Sequence, residues 1–63
     1  DWNISSSIMI NNLSVFDILG KEVMAIPVNA KAVKIDASLL SPGMYFVKVR
    51  GNKGDKTIKV LKD

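Results

Sequence analysis

With no histidine and no cysteine, the sequence lacks the usual general base, the commonest metal ligand and any thiolate. What remains for chemistry is a set of carboxylates, amides and aromatics. Asp17 and Glu22 flank Leu19-Gly20-Lys21, a spacing that brings two carboxylates toward each other across a turn. Acid–base work from such a pair needs a pocket that perturbs it, and no partner residue stands nearby, so the plainer reading is two solvated charges framing the turn. Asn52 and Asp55 offer oxygens to a calcium ion, but the Asn52–Asp55 loop supplies fewer than the six or so that calcium takes, so a plain turn is expected. Asn3-Ile4-Ser5 and Asn12-Leu13-Ser14 match the glycosylation tripeptide, a match that arises easily in an Asn/Ser-rich chain. Phe46, Lys48 and Arg50 form the one grouping of an aromatic with cations, of the kind that nucleic-acid binders place on an open face. A strand with a basic outer edge accounts for it as well.

These residues hang on a β pattern centred on Asp36–Val49, DASLLSPGMYFVKV. Asp36 is placed to cap a turn, and Leu39 with Leu40 forms a small apolar plug. Pro42 fixes its own φ and pushes Ser41 toward an extended conformation. Gly43 can take positive φ where the chain enters the next strand. Tyr45, Val47 and Val49 alternate and so share an inward face. A tyrosine two residues past such a glycine can bury its ring while its hydroxyl reaches the preceding turn, as in the tyrosine corner of immunoglobulin-like sandwiches.

Strands are expected at 2–5, 13–18, 22–26, 33–35, 44–50 and 57–62, with turns at Gly20 and at Asn52–Asp55. Ser5–Ser7 and Val28–Ala30 read as breaks, Ile8–Ile10 as a connection that drops side chains into the core, and Pro27 as a strand stop. Ile58 and Val60 are expected inward on the last strand, with Thr57, Lys59, Leu61 and Lys62 outward and its lysines guarding an edge. No helical period is present. Nine basic residues against six acids give +3, too little to mark a nucleic-acid binder alone. No apolar run nears the roughly 18 residues of a membrane helix, and DWNISSS has no signal-peptide character. A chain of 63 residues is expected to be one domain, 1–63, with marginal stability.

Three blocks carry a resemblance to a known family. LSVFDILGKEV at 13–23 has an apolar strand, an aromatic-Asp pair and a Leu-Gly-Lys turn around Gly20. DASLLSPGMYFVKV places Asp36, Leu39, Gly43 and Tyr45. KTIKVLKD at 56–63 places Thr57 and Lys59 in a terminal strand. Together they resemble the C-terminal sorting domain of the type IX (Por) secretion system of Bacteroidetes. The family's opening Pro-Asn-Pro motif is not seen here, so the first strand is expected to be incomplete or missing.

The resemblance implies a non-catalytic signal at the end of exported cargo. It implies export to the periplasm, reading by the outer-membrane translocon, and processing by a sortase-like peptidase that leaves the protein secreted or on the cell surface. Gly20, Asp36, Leu39, Gly43, Tyr45, Thr57, Lys59 and Lys62 are the candidate sorting residues. No cofactor or metal is expected, and no nucleic acid or membrane insertion. The resemblance also implies a fused cargo domain upstream, and copies are expected to self-associate through an exposed sheet edge. The expected fold is all-β: an immunoglobulin-like antiparallel sandwich of about six short strands. The competing readings are a structural or carbohydrate-associated sandwich module of a surface enzyme, which needs an exposed aromatic platform, and a nucleic-acid-binding barrel, which needs steep salt dependence.

Overall fold

A computed structural model of the chain describes residues 2–63. The described residues form four strands: β1 (Trp2–Phe16), β2 (Glu22–Ile35), β3 (Gly43–Gly51) and β4 (Gly54–Lys62). They make one antiparallel sheet in the order β2-β1-β3-β4. No helix occurs among the described residues. The two expected hairpins are present: Leu13–Phe16 pairs with Glu22–Ile26 across Gly20, and β3 pairs with β4 through a turn at Asn52-Lys53.

The strand count is four, not about six, because two expected breaks are irregularities inside longer strands. Segments 2–5 and 13–16 belong to β1, and 22–26 and 33–35 belong to β2. The segments expected separately at 2–5 and 13–18 are thus joined in β1, which at 15 residues is the longest strand among the described residues. Ser5 pairs with Ala32 and Ile10 with Ala30, so β1 inserts three extra residues between those rungs. The Ser6 hydroxyl accepts a hydrogen bond from the Ile8 amide at 3.1 Å inside this bulge. On β2, Asn29 takes φ 59° beside a second slip, between Ile10↔Ala30 and Asn12↔Pro27. Asparagine is among the few residues that adopt the left-handed region readily. Pro27 does not stop the strand: β2 is a sheet edge, where a missing N–H costs no rung.

These bulges bend the hairpin. A straight 15-residue strand would run about 46 Å, yet the molecule's longest dimension is 30 Å. The outer half of β1–β2 therefore lies back over the sheet, and Trp2 meets Tyr45 with ring centroids 5.7 Å apart and planes at 51°. A bulge also switches which alternate residues face inward. Ile4 and Ile10 face inward with Leu13 and Val15 on β1 despite opposite parity, and Ile35 joins them from β2. Tyr45, Val47 and Val49 complete the core from β3, as their spacing implies. Ile58 and Val60 pack against it from β4.

The folded-over end gathers most of the candidate residues

The return of β1–β2 brings distant parts of the chain to one end. Phe16 pairs with Phe46, and Phe46 with Lys59, so the 17–21 turn continues past the sheet end where β3 begins and β4 finishes. Trp2 pairs with Ile35 above Tyr45, which puts the Asp36–Pro42 corner at that same end. Of the expected sorting residues, Gly20, Asp36, Leu39, Gly43, Tyr45, Lys59 and Lys62 gather there. Thr57 does not: it pairs with Lys48 in the middle of the sheet.

Two aspartates shape the turns. The Asp17 Oδ1 accepts hydrogen bonds from the amides of Leu19 and Lys21, each 2.9 Å. The main chain closes beneath it, with the Gly20 amide donating to the Asp17 carbonyl at 3.0 Å. Gly20 sits at φ 86°, a conformation that strains any residue with a Cβ. Asp17 is thus committed to the turn, and Glu22 is exposed, so the framing-charge reading of this pair holds.

Asp36 caps the corner as expected: its Oδ1 accepts from the Ser38 amide at 3.0 Å. The Ser38 hydroxyl, then the Ser38 amide, holds the Asp36 carboxyl below its ordinary pKa, with a lesser attraction from Lys62. Leu40 donates to the Ala37 carbonyl at 3.0 Å and closes a β-turn with Ser38 and Leu39 at its tip. The tip position corrects the expected plug. Leu39 is 95% exposed, and only Leu40 packs against the core.

The tyrosine corner is present. The Tyr45 hydroxyl donates to the Ser41 carbonyl at 2.6 Å while the ring is buried. Gly43, at φ 146°, makes the entry into β3. Lys62 is a second correction. It shares parity with Ile58 and Val60, not with Lys59, and its ammonium donates to the Ala37 carbonyl at 2.8 Å. Lys59 is exposed, as expected. Ala37 and Ser38 were not singled out from sequence. The signal was there in Asp-Ala-Ser, where an aspartate two residues before a serine amide favours this turn.

The site is a surface and not a pocket. A cleft of about 400 Å³ lies at the opposite end between the Ser5–Ile8 bulge and the β3–β4 turn, and none of the expected sorting residues lines it. Asn52 lies in that tight turn and Asp55 pairs with Arg50, while no cluster of three or more His, Cys, Asp or Glu suited to a metal occurs among the described residues. Asn3 and Asn12 are both exposed on β1. Trp2 and Tyr45 face each other inside, so neither belongs to an exposed aromatic platform.

The profile of the secretion-system C-terminal sorting domain matches residues 1–63, the whole chain. The chain belongs to this family, the C-terminal sorting domain of type IX secretion. No curated protein and no solved structure matches it. In this sorting domain the three sequence blocks that carried the resemblance are the 17–21 turn with its flanking strands, the Tyr45 corner and β4.

Proposed function

We propose that residues 1–63 act as one non-catalytic module, a C-terminal address that directs fused, exported cargo through the outer-membrane type IX translocon to the cell surface or medium. The observation that carries this reading is the family match over the whole chain. We read the two packed layers and the Tyr45 corner as an immunoglobulin-like arrangement. In this proposal the translocon reads the end built from the 17–21 turn, the Asp36–Gly43 corner and the close of β4, with Gly20, Asp36, Gly43 and Tyr45 holding its shape. Thr57 contributes from mid-sheet, Lys62 locks β4 to the corner, and Leu39 and Lys59 are offered for contact. Support comes from the exposed apolar residues there: Ile18, Leu19, Leu39 and Leu61 are 70, 90, 95 and 64% exposed. Such a fringe contributes nothing to the fold and suits a partner surface. A sortase-like peptidase acts after export, and the unpaired edges of β2 and β4 are the places where copies would self-associate.

The test is export of a reporter fused ahead of the domain in a type IX-competent bacterium of the Bacteroidetes. The expected result is extracellular reporter with the wild-type domain and periplasmic retention in a translocon-deficient strain. Leu39→Ser and Lys59→Ala should each lower export without lowering stability. Equal export with and without the translocon would end this reading.

A further inference from the structure

The charge of the chain is divided sharply along its length. Residues 43–63 carry six Lys and Arg against two Asp, a net +4, whereas residues 1–42 carry three against four, a net −1. The basic half is the β3–β4 hairpin, which pairs along its length without a slip.

Its outer face, opposite the core, is organised in rungs. One rung runs Glu22–Phe16–Phe46–Lys59, acidic at its β2 end and basic at its β4 end, and the next runs Ala25–Ser14–Lys48–Thr57. Met44 pairs with Leu61 beyond them, toward the fringe of the sorting end. Phe16, Phe46 and Met44 are half-buried yet are not among the residues that pack against the core, and Leu61 is 64% exposed. They form an apolar strip with ammonium groups beside it. The folded-back ribbon covers the inner face, and no described element covers this one.

We infer that the outer face of β1, β3 and β4, centred on Phe16 and Phe46 and bordered by Lys48 and Lys59, is a docking surface for an acidic protein surface with an apolar centre. The inference rests on the sorting reading, and it assigns that partner's chemistry and a face beyond the end residues. Two features select a protein. An apolar middle with a charged border is the anatomy of a protein interface, in which charge orients and accelerates the encounter. A binder of single-stranded nucleic acid needs aromatic faces open for base stacking, and here the two phenylalanines lie side by side, half-buried among their neighbours.

The test measures binding of the immobilised 63-residue chain to a purified, detergent-solubilised type IX outer-membrane translocon, with folding of every variant checked by circular dichroism. Lys48→Glu with Lys59→Glu should weaken binding at least tenfold. Phe46→Ser should weaken it to a similar degree, and Lys48→Gln with Lys59→Gln provides a milder charge-removing pair should reversal disturb folding. Lys31→Glu with Lys53→Glu, an equal charge change at exposed positions toward the other end, should stay within twofold of wild type. Wild-type binding that all face variants retain would overturn the docking face while leaving the sorting reading intact. No binding by wild type would overturn the sorting reading and this inference with it. An oligothymidylate bound more tightly than the translocon, with the same loss on charge reversal, would also overturn it by making the face a nucleic-acid site.

Discussion

Hairpin β3–β4 pairs nine residues with nine, from Gly43↔Lys62 to Gly51↔Gly54, without a register shift, whereas hairpin β1–β2 slips three times along its length. The regular hairpin keeps one set of alternate residues inward throughout, so its other face can carry charge. The irregular one switches parity at its bulges, bends, and returns over the sheet to cover Tyr45 and Val47. A chain this short buries only about 60% of the surface its unfolded form exposes, so each covered apolar face counts heavily. This chain covers the inner face of its sheet by folding one hairpin over, and leaves the outer face of the other without a covering element among the described residues.

The comparison breaks most visibly if the folded-over ribbon is removed from the core. Ile35 is fully buried on the returning half of β2, while Ile58 is half-buried on β4. Ile35→Ala should cost about 2–5 kcal/mol, enough to unfold much of a chain whose total stability is of that order. Ile58→Ala should cost about 1–2 kcal/mol. Urea unfolding followed by the fluorescence of Trp2, the only tryptophan, reads both variants. Equal midpoints would mean that the ribbon does not seal the core.

The same contrast explains what the sequence disclosed. The regular hairpin was legible in its alternation: Tyr45, Val47 and Val49 face inward, with Ile58 and Val60 against them, as expected, while β4 starts earlier, at Gly54, and its last residue, Lys62, shares the inward parity. The irregular hairpin was legible in content but not in continuity. Inward residues shift from even to odd between Ile10 and Leu13, and again between Val28 and Val33. A turn between two strands and a bulge within one strand produce the same shift, and local sequence does not separate them. At the site, Asp36 and Tyr45 were legible because their bonds are local, spanning two and four residues. The Lys62 bond to Ala37 spans 25 residues and depends on the fold-over, so no local pattern announces it.

That long-range bond sharpens the comparison within β4 itself. Lys62→Met removes a charged donor from the Ala37 carbonyl and should cost about 1 kcal/mol. Lys59→Met, on the outer face, should change stability by less than about 0.5 kcal/mol. Urea midpoints of the two variants, each lacking one positive charge, separate a latch from a displayed charge. If both lose the same amount, net charge and not the bond to Ala37 is responsible.

The smallest effect concerns how the corner is held, by its own turn or by β4. The Ser38 hydroxyl and amide favour the charged form of Asp36, so its folded-state pKa lies below the ordinary carboxylate value. As pH falls, the unfolded chain takes up this proton first. The carboxylate's contribution to stability is therefore complete above the ordinary value and is lost as pH drops through the lowered one. Asp36→Asn removes the titration, so wild type and variant should differ at pH 6 and converge as pH drops through the lowered pKa. Because the carboxyl is exposed, the difference should be a small shift in urea midpoint. Because Ser38 is the leading cause and Lys62 a lesser one, Lys62→Met should leave most of this pH dependence in place, whereas Ser38→Ala should reduce it by removing the hydroxyl. The reverse pattern, with pH dependence abolished by Lys62→Met and kept by Ser38→Ala, would place control of the corner in the long-range contact with β4 and not in the turn itself.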